Sequence, residues 1–342
     1  MTEVLVFAGK ALILFTFTAA LILLIALLVL RSQQMADLEI TPLHEKWKEV
    51  ALLLKSFLFS REELKAEQKK LKKEQKEQKE RDRHLDQQHK VFVLRFKGDL
   101  KAHETLNLRE EVNAVLQVAQ SKDEVVVVLE SPGGVVSGYG LAASQLLRLR
   151  ERNIPLTVCV DEVAASGGYL MACVANKILA APFAIIGSIG VVAQVPNFFR
   201  FLKKWDVDYR EYTAGEFKRT VSLFGEITPK GEEKFLEQLE ETHDLFKNFV
   251  KKYRPQIDLT KVATGEYWYG ENAIDRGLID VIKTSDDYLL EKAGAQHLIF
   301  EIKYEHKIPL VERVSEFLGR LMVSTGRRLQ QEIKSEPPPR IL

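Results

Sequence analysis

The apolar pattern of this chain is that of an α/β domain carried behind a long N-terminal leader. From about Val91 onward, short apolar stretches alternate with helical patterns, the alternation that lays helices on a sheet. One stretch, VVVVLE at 125–130, is apolar at consecutive positions, as a strand covered on both faces must be. Roughly 250 residues follow residue 90, enough for one sizeable core.

In chain order the first element is Ala11–Leu30, ALILFTFTAALILLIALLVL, twenty residues without a charge. That is the length a helix needs to cross a bilayer core of about 30 Å. The run is longer than the apolar core of a cleavable signal and lacks a small-residue cleavage pattern after it, so residues 1–35 are expected to be a retained anchor contacting the lipid bilayer. Lys10 precedes the span, and Arg31, Lys46 and Lys48 follow it, a charge count that by itself favours a cytoplasmic domain. Residues 36–90 read as a spacer. Its first part, 40–59, is amphipathic enough to lie at an interface or pack on a neighbour, and 61–90 holds 11 basic and 8 acidic side chains with too few apolar ones for a coiled coil.

The domain proper, 91–290, is expected to begin with a strand at 91–96. A helix at 105–119, the buried strand 125–130, a helix at 138–152 and a strand at 156–160 follow. Next come a helix at 166–175 and strands at 178–181 and 190–193. Ile178–Phe199 is apolar enough to suggest a second span, but Pro182, Gly187, Gly190 and Pro196 interrupt it, so core strands and turns are expected there. Residues 291–342 read as a strand and helix extension ending in a short disordered tail, SEPPPRIL.

Composition removes whole classes of function. Lys and Arg number 49 against 48 Asp and Glu, a net charge of +1, so no global basic field gathers nucleic acid and none is expected as a partner. The two cysteines, Cys159 and Cys173, sit in apolar segments as buried thiols, and their number excludes a disulfide framework or a four-cysteine metal site. No HExxH or comparable ligand spacing occurs, which disfavours a metal-dependent hydrolase.

Chemistry concentrates at two Gly-rich strand ends: Ser131-Pro132-Gly133-Gly134 after the valine strand, and Ala165-Ser166-Gly167-Gly168 opening an apolar helix. Paired glycines bring backbone close to a ligand, and amides at a helix start suit a developing oxyanion. Ser166 is the candidate nucleophile, and a serine hydroxyl needs a base. No histidine lies between His103 and His243, the stretch that holds the other motifs, so these two are the histidines to test. The other option is a lysine made neutral. Bringing a lysine from about 10.4 to 7 or 8 costs on the order of 4 kcal/mol, for which desolvation is the usual source. Lys218, in YTAGEFKR at 212–219, stands out for the Gly215 and Phe217 beside it.

The set SPGG (131–134), DEVAASGGYLMA (161–172), GSIGVV (187–192) and YTAGEFKR (212–219) resembles the signal peptide peptidase A (SppA) family of membrane-anchored serine proteases, and within it the single-domain SohB branch. The likeness covers about residues 91–290 and includes Thr264-Gly265-Glu266 and Gly277-Leu278-Ile279-Asp280. It implies a ClpP/crotonase-like superhelix of ββα units and a Ser/Lys dyad with Ser166 as nucleophile and Lys218, 52 positions on, as general base. It also implies that Ser188 orients the lysine amine and that Gly133 and Gly167, with Gly134 beside them, supply oxyanion amides. No cofactor is implied. The resemblance further implies a homo-oligomeric ring in which a neighbouring copy contributes the lysine. Substrates would be extended peptides or unfolded protein, such as residual signal peptides and membrane or envelope protein fragments, bound by strand addition. The catalytic domain would lie on the outer, periplasmic face of the cytoplasmic membrane, against the local charge count. The rival readings are a crotonase-type acyl-CoA enzyme, in which Ser166 and Lys218 would be incidental, and a catalytically silent anchored scaffold.

Overall fold

The computed structural model describes residues 38–60 and 88–305, together with 15–17, 62–63 and 69. The chain divides into two compact units, 1–38 with 305–342 and 39–304, and the sheet and helices below belong to the second. The expected anchor, apart from Phe15–Phe17, most of the charged stretch and the C-terminal tail lie outside the described residues. Among the described residues no helix is long and apolar enough to cross a membrane.

The elements run β1 (Leu38–Pro42), α1 (Leu43–Leu58), β2 (Lys90–Lys97), α2 (Thr105–Val118), β3 (Glu124–Glu130), α3 (Val136–Glu151), β4 (Leu156–Val160), β5 (Val163–Ala165) and α4 (Gly167–Ala172). They continue with β6 (Lys177–Ala180), β7 (Ile185–Gly187), α5 (Phe199–Lys204), α6 (Pro229–Tyr253), α7 (Leu259–Val262), β8 (Tyr267–Tyr269), α8 (Gly270–Ala273), β9 (Val281–Ile282), α9 (Ser285–Gly294) and β10 (Leu298–Tyr304). Seven strands form the main sheet in the order β1-β10-β2-β3-β4-β6-β9, and β5-β7-β8 form a second, smaller one. From β10 to β9 every pairing in the main sheet is parallel.

The valine run of β3 sits in mid-sheet, where both faces are covered. On one face Val91, Val93, Val126, Cys159, Leu179 and Ile299 meet Leu43 and Trp47 of α1 and Tyr288 and Leu289 of α9. On the other, Phe96 contacts Tyr139 of α3 edge to face, and α2 and α3 pack there in succession. The core therefore supports Tyr139 from below, which matters for the site. Burial pushes the Cys159 thiol up to about 12 and raises Cys173 further, as inert core thiols require.

One expectation differs from the structure. No strand forms at 190–193; the pairing lies at Ile185–Gly187, and the chain turns out of the sheet at Ser188, which has a φ of 51°. Of the two options for 40–59 the structure takes the second, with Leu43 and Trp47 packing α1 on the core. A strand does form in the C-terminal extension: Leu298–Glu301 of β10 pairs in register with Lys90–Val93 of β2, so the folded unit reaches Tyr304.

Candidate active site

The two glycine motifs meet because β3 and β5 end side by side. Ser131 N–H donates to Val163 O at 2.8 Å, and Ala165 N–H donates to Ser131 O at 3.0 Å. Neither loop leaves room for side chains where they cross. A Cβ on Gly133 would lie 2.6 Å from Gly167 N and 2.7 Å from Ser166 Cβ, and one on Gly168 would lie 2.4 Å from Ser131 O. Glycine at these positions is a condition of the two backbones touching.

Ser166 occupies the turn between β5 and α4 with φ 51° and ψ −118°, a conformation that costs a non-glycine residue on the order of 1–3 kcal/mol. Two bonds hold it there: Ser166 N–H donates to Gly187 O at 2.8 Å, and Leu170 N–H donates to Ser166 O at 3.0 Å. The strained turn carries the half-buried side chain to the wall of a cavity of about 170 Å³. Gly134, Gly167, Tyr139 and Leu170 line it from the motif side, and Leu245, Phe246 and Phe249 of α6 close the far side.

Ser188 leaves the sheet beside Ser166 by register, without itself lining the cavity. β5 and β7 run parallel with Ala165 opposite Gly187, so Ser166 and Ser188 leave adjacent strand ends one position later. Ser188 N–H donates to Glu266 O at 2.7 Å, and Gly265 N–H donates to Ile189 O at 3.1 Å, which ties the TGE element to GSIG.

The glycine amides are not equivalent. Gly133 N–H already donates to Ser131 Oγ at 3.1 Å. Gly134 instead lines the cavity, and its N–H has no partner among the described residues. Gly167, at the first position of α4, likewise lines the cavity, with an amide that no helical carbonyl can reach.

Lys218 is not brought to this cavity. It is exposed in the connection between α5 and α6, where its N–H closes a turn onto Gly215 O at 3.2 Å. The neighbouring charges are occupied: Glu216 pairs with Lys230, and Arg219 with Glu211 at 2.9 Å. Lys218 Nζ has no ion pair or hydrogen bond among the described residues. The two candidate histidines are elsewhere too. His103 is exposed and bonded to Asp99 at 2.5 Å, His243 has a buried Nε2 without a partner among the described residues, and neither lines the cavity.

Two contributors to the site are not among the residues that motif spacing singles out. Tyr139 lies under Gly167, where a Cβ would fall 2.4 Å from Tyr139 Cγ. α6 supplies the apolar wall, and its start is marked in the sequence by Thr228-Pro229, the threonine accepting the Gly231 N–H at 3.1 Å. Its far end is fixed by Arg254, 4% exposed, whose guanidinium donates to both Asp280 oxygens at 2.8 and 2.9 Å.

The profile of the N-terminal part of peptidase family S49 matches residues 1–146, and that of peptidase family S49 matches 148–298. The chain is 54% identical over 289 residues to a "Probable protease SohB" of Haemophilus influenzae, covering 82% of each chain. It is 51% identical over 228 residues to a "Probable protease SohB" of Buchnera aphidicola, covering 67% of this chain and 68% of that protein. The solved 1510-N membrane-bound stomatin-specific protease, a mutant in complex with a substrate peptide, aligns with a TM-score of 0.36 and 17% identity over 60% of this chain and 80% of its own. Identity of more than half over four fifths of both chains, with matching family profiles, makes this protein a SohB-like protease that belongs to peptidase family S49.

Proposed function

We propose that the chain is a serine endopeptidase in which Ser166 attacks the scissile carbonyl and the amides of Gly134 and Gly167 receive the oxyanion. The observation that carries this reading is the position of Ser166: a strained strand-to-helix turn at an apolar cavity lined also by Gly134 and Gly167. Ser166 Oγ adds to the peptide carbonyl and loses its proton to a base, and the leaving amine takes that proton as the acyl-enzyme forms. Water then repeats the sequence with the acyl group as electrophile.

The base is Lys218 of a neighbouring copy, its amine oriented by Ser188. Two observations support supply in trans: Lys218 is exposed, and it is absent from the cavity lining of its own chain. The segment that carries it also exposes Phe201, Trp205 and Tyr212, the last at 87%, the kind of surface that a second copy covers. Ring assembly would then bury the amine and complete each site. The fold is read as the ClpP/crotonase-like superhelix, anchored through Ala11–Leu30 with the catalytic domain on the periplasmic face. Substrates are extended segments of signal peptide, membrane or unfolded envelope protein, each placing an apolar side chain against Leu245 and Phe249.

The test is to assay detergent-solubilised wild type, Ser166→Ala and Lys218→Ala on casein and on an apolar fluorogenic peptide. Cleavage abolished by both substitutions at unchanged assembly size supports the dyad. Cleavage that survives Lys218→Ala moves the base to a histidine. A wild type that neither cleaves nor reacts with a fluorophosphonate at Ser166 overturns the reading in favour of a silent scaffold.

A further inference from the structure

We propose that Ser131 and Tyr139 are positioning residues: their hydroxyls form a directed hydrogen-bond chain that holds the Gly133–Gly134 peptide with the Gly134 amide toward the reacting carbonyl. The proposal rests on the peptidase reading of the cavity, and it assigns a role to two side chains outside the dyad.

Every proton in the chain has one place. Tyr139 Oη donates to Asp99 O at 2.8 Å, and since a carbonyl only accepts, the single tyrosine proton is committed there. Ser131 Oγ lies 2.6 Å from Tyr139 Oη and must therefore supply its own proton to that contact. The serine oxygen is left to accept the Gly133 N–H at 3.1 Å. The sequence runs from an amide that can only donate to a carbonyl that can only accept, so its direction cannot reverse. Ser131 and Tyr139 are both fully buried, and no water replaces either hydroxyl without opening the core.

The geometry explains why this sets the oxyanion donor. Gly133 has a φ of 89° and turns the chain sharply between its two peptide groups. With its own N–H drawn inward to Ser131, the next amide, that of Gly134, falls on the cavity side. The Tyr139 ring also supports Gly167 from below, so one side chain steadies both proposed donors. Removing the serine hydroxyl leaves the Gly133 N–H buried and unpaired. That group, part of the Pro132–Gly133 peptide, regains a partner only if that peptide turns, and the turn is carried through Gly133 to the Gly134 amide.

The experiment compares Ser131→Ala and Tyr139→Phe with wild type for kcat, KM, melting temperature and inhibition by a peptide aldehyde, whose adduct with Ser166 places its oxygen where the oxyanion forms. Loss of the serine hydroxyl is expected to lower kcat roughly 10- to 100-fold, with KM within about twofold. The aldehyde Ki should rise by the same factor that kcat/KM falls, and Tyr139→Phe should lose less, because Ser131 still accepts from Gly133. Unchanged kcat in both variants overturns the proposal, as does a fall in kcat that only follows melting temperature and KM. A wild type without cleavage or fluorophosphonate labelling counts against the peptidase reading instead. In that event crystal structures of wild type and Ser131→Ala decide this point alone: a turned Gly133–Gly134 peptide in the variant supports the chain, and an unmoved one overturns it.

Discussion

Replacing Gly134 by alanine probes the proposed oxyanion hole by displacing backbone alone. A Cβ at this position would lie 2.1 Å from Leu100 O, 2.7 Å from Leu100 C and 2.9 Å from Leu100 Cα, where ordinary contact begins at 3.4 Å. The obstacle is main chain, so no rotamer relieves it, and the two strands of backbone must part by about 1.3 Å. Leu100 O is not free to move, since it accepts the Val135 N–H at 2.8 Å. The displacement therefore falls largely on residue 134 itself, and its amide leaves the oxyanion position. Losing one such donor costs about 10²–10³ in kcat, or roughly 3–4 kcal/mol, and overpacking costs about 1–3 kcal/mol of stability. KM should change little, because the apolar cavity proposed to take the substrate side chain is intact. Gly140→Ala is the matched control: Gly140 lines the same cavity in α3, but a Cβ there meets nothing within 4 Å. That variant should keep kcat and gain about 0.5–1 kcal/mol from alanine in a helix. The assay is steady-state cleavage of an apolar fluorogenic peptide well below the melting temperature of each variant. Gly134→Ala retaining more than half the wild-type kcat would show that its amide is not the donor, and equal losses in the two variants would reduce the effect to crowding of the cavity.

Mixing equal amounts of inactive Ser166→Ala and Lys218→Ala subunits, after dissociation and reassembly, should restore about a quarter of wild-type activity if each site joins two copies, and none if both residues act within one chain. Leu245→Trp should fill part of the apolar cavity and raise KM for substrates with large apolar side chains more than for alanine-sized ones; an even effect across a peptide series would separate the cavity from substrate selection. Burial raises Glu111 from about 4.5 to about 7, against the Tyr304 N–H that donates to it at 2.9 Å. Because the unfolded chain releases this proton first, stability should fall as pH rises from about 4.5 to 7 and level off above, by at most about 3 kcal/mol. Glu111→Gln should flatten that slope in urea titrations and stabilise the protein at pH 8, and identical slopes in both proteins would exclude Glu111 as their source. Asp280→Asn leaves the Arg254 guanidinium buried beside a neutral amide and should cost about 3–5 kcal/mol, read as a lower urea midpoint.

What could be read in the chain, and what could not, divides along a physical line. The strands 91–96, 125–130 and 156–160 and the helices between them follow from local periodicity, and the structure repeats them within a residue or two. The glycines of SPGG and ASGG were legible as places of close backbone approach to a ligand, and what the structure adds is that the two loops also approach each other, Gly133 against Ser166 and Gly167. Non-local pairings left no such mark: β10 enters the sheet beside β2 from more than 200 residues away, and Leu43 and Trp47 of α1 settle on a cluster that no short window contains. Tyr139 was hidden for the same reason, since a tyrosine in a helix signals a core position until Ser131 and Asp99 are seen on either side of its hydroxyl. Lys218 marks a further limit, because a spacing of 52 residues along one chain does not say in which copy the proposed base would meet Ser166. Its exposure turns that silence into an argument: Lys218 stands outside the cavity of its own chain, so an arrangement in which it serves as base must include a second surface that brings it to Ser166. Assembly would then be a catalytic step as well as an architectural one, with dilution below the dissociation point switching off the chemistry before it unfolds any subunit.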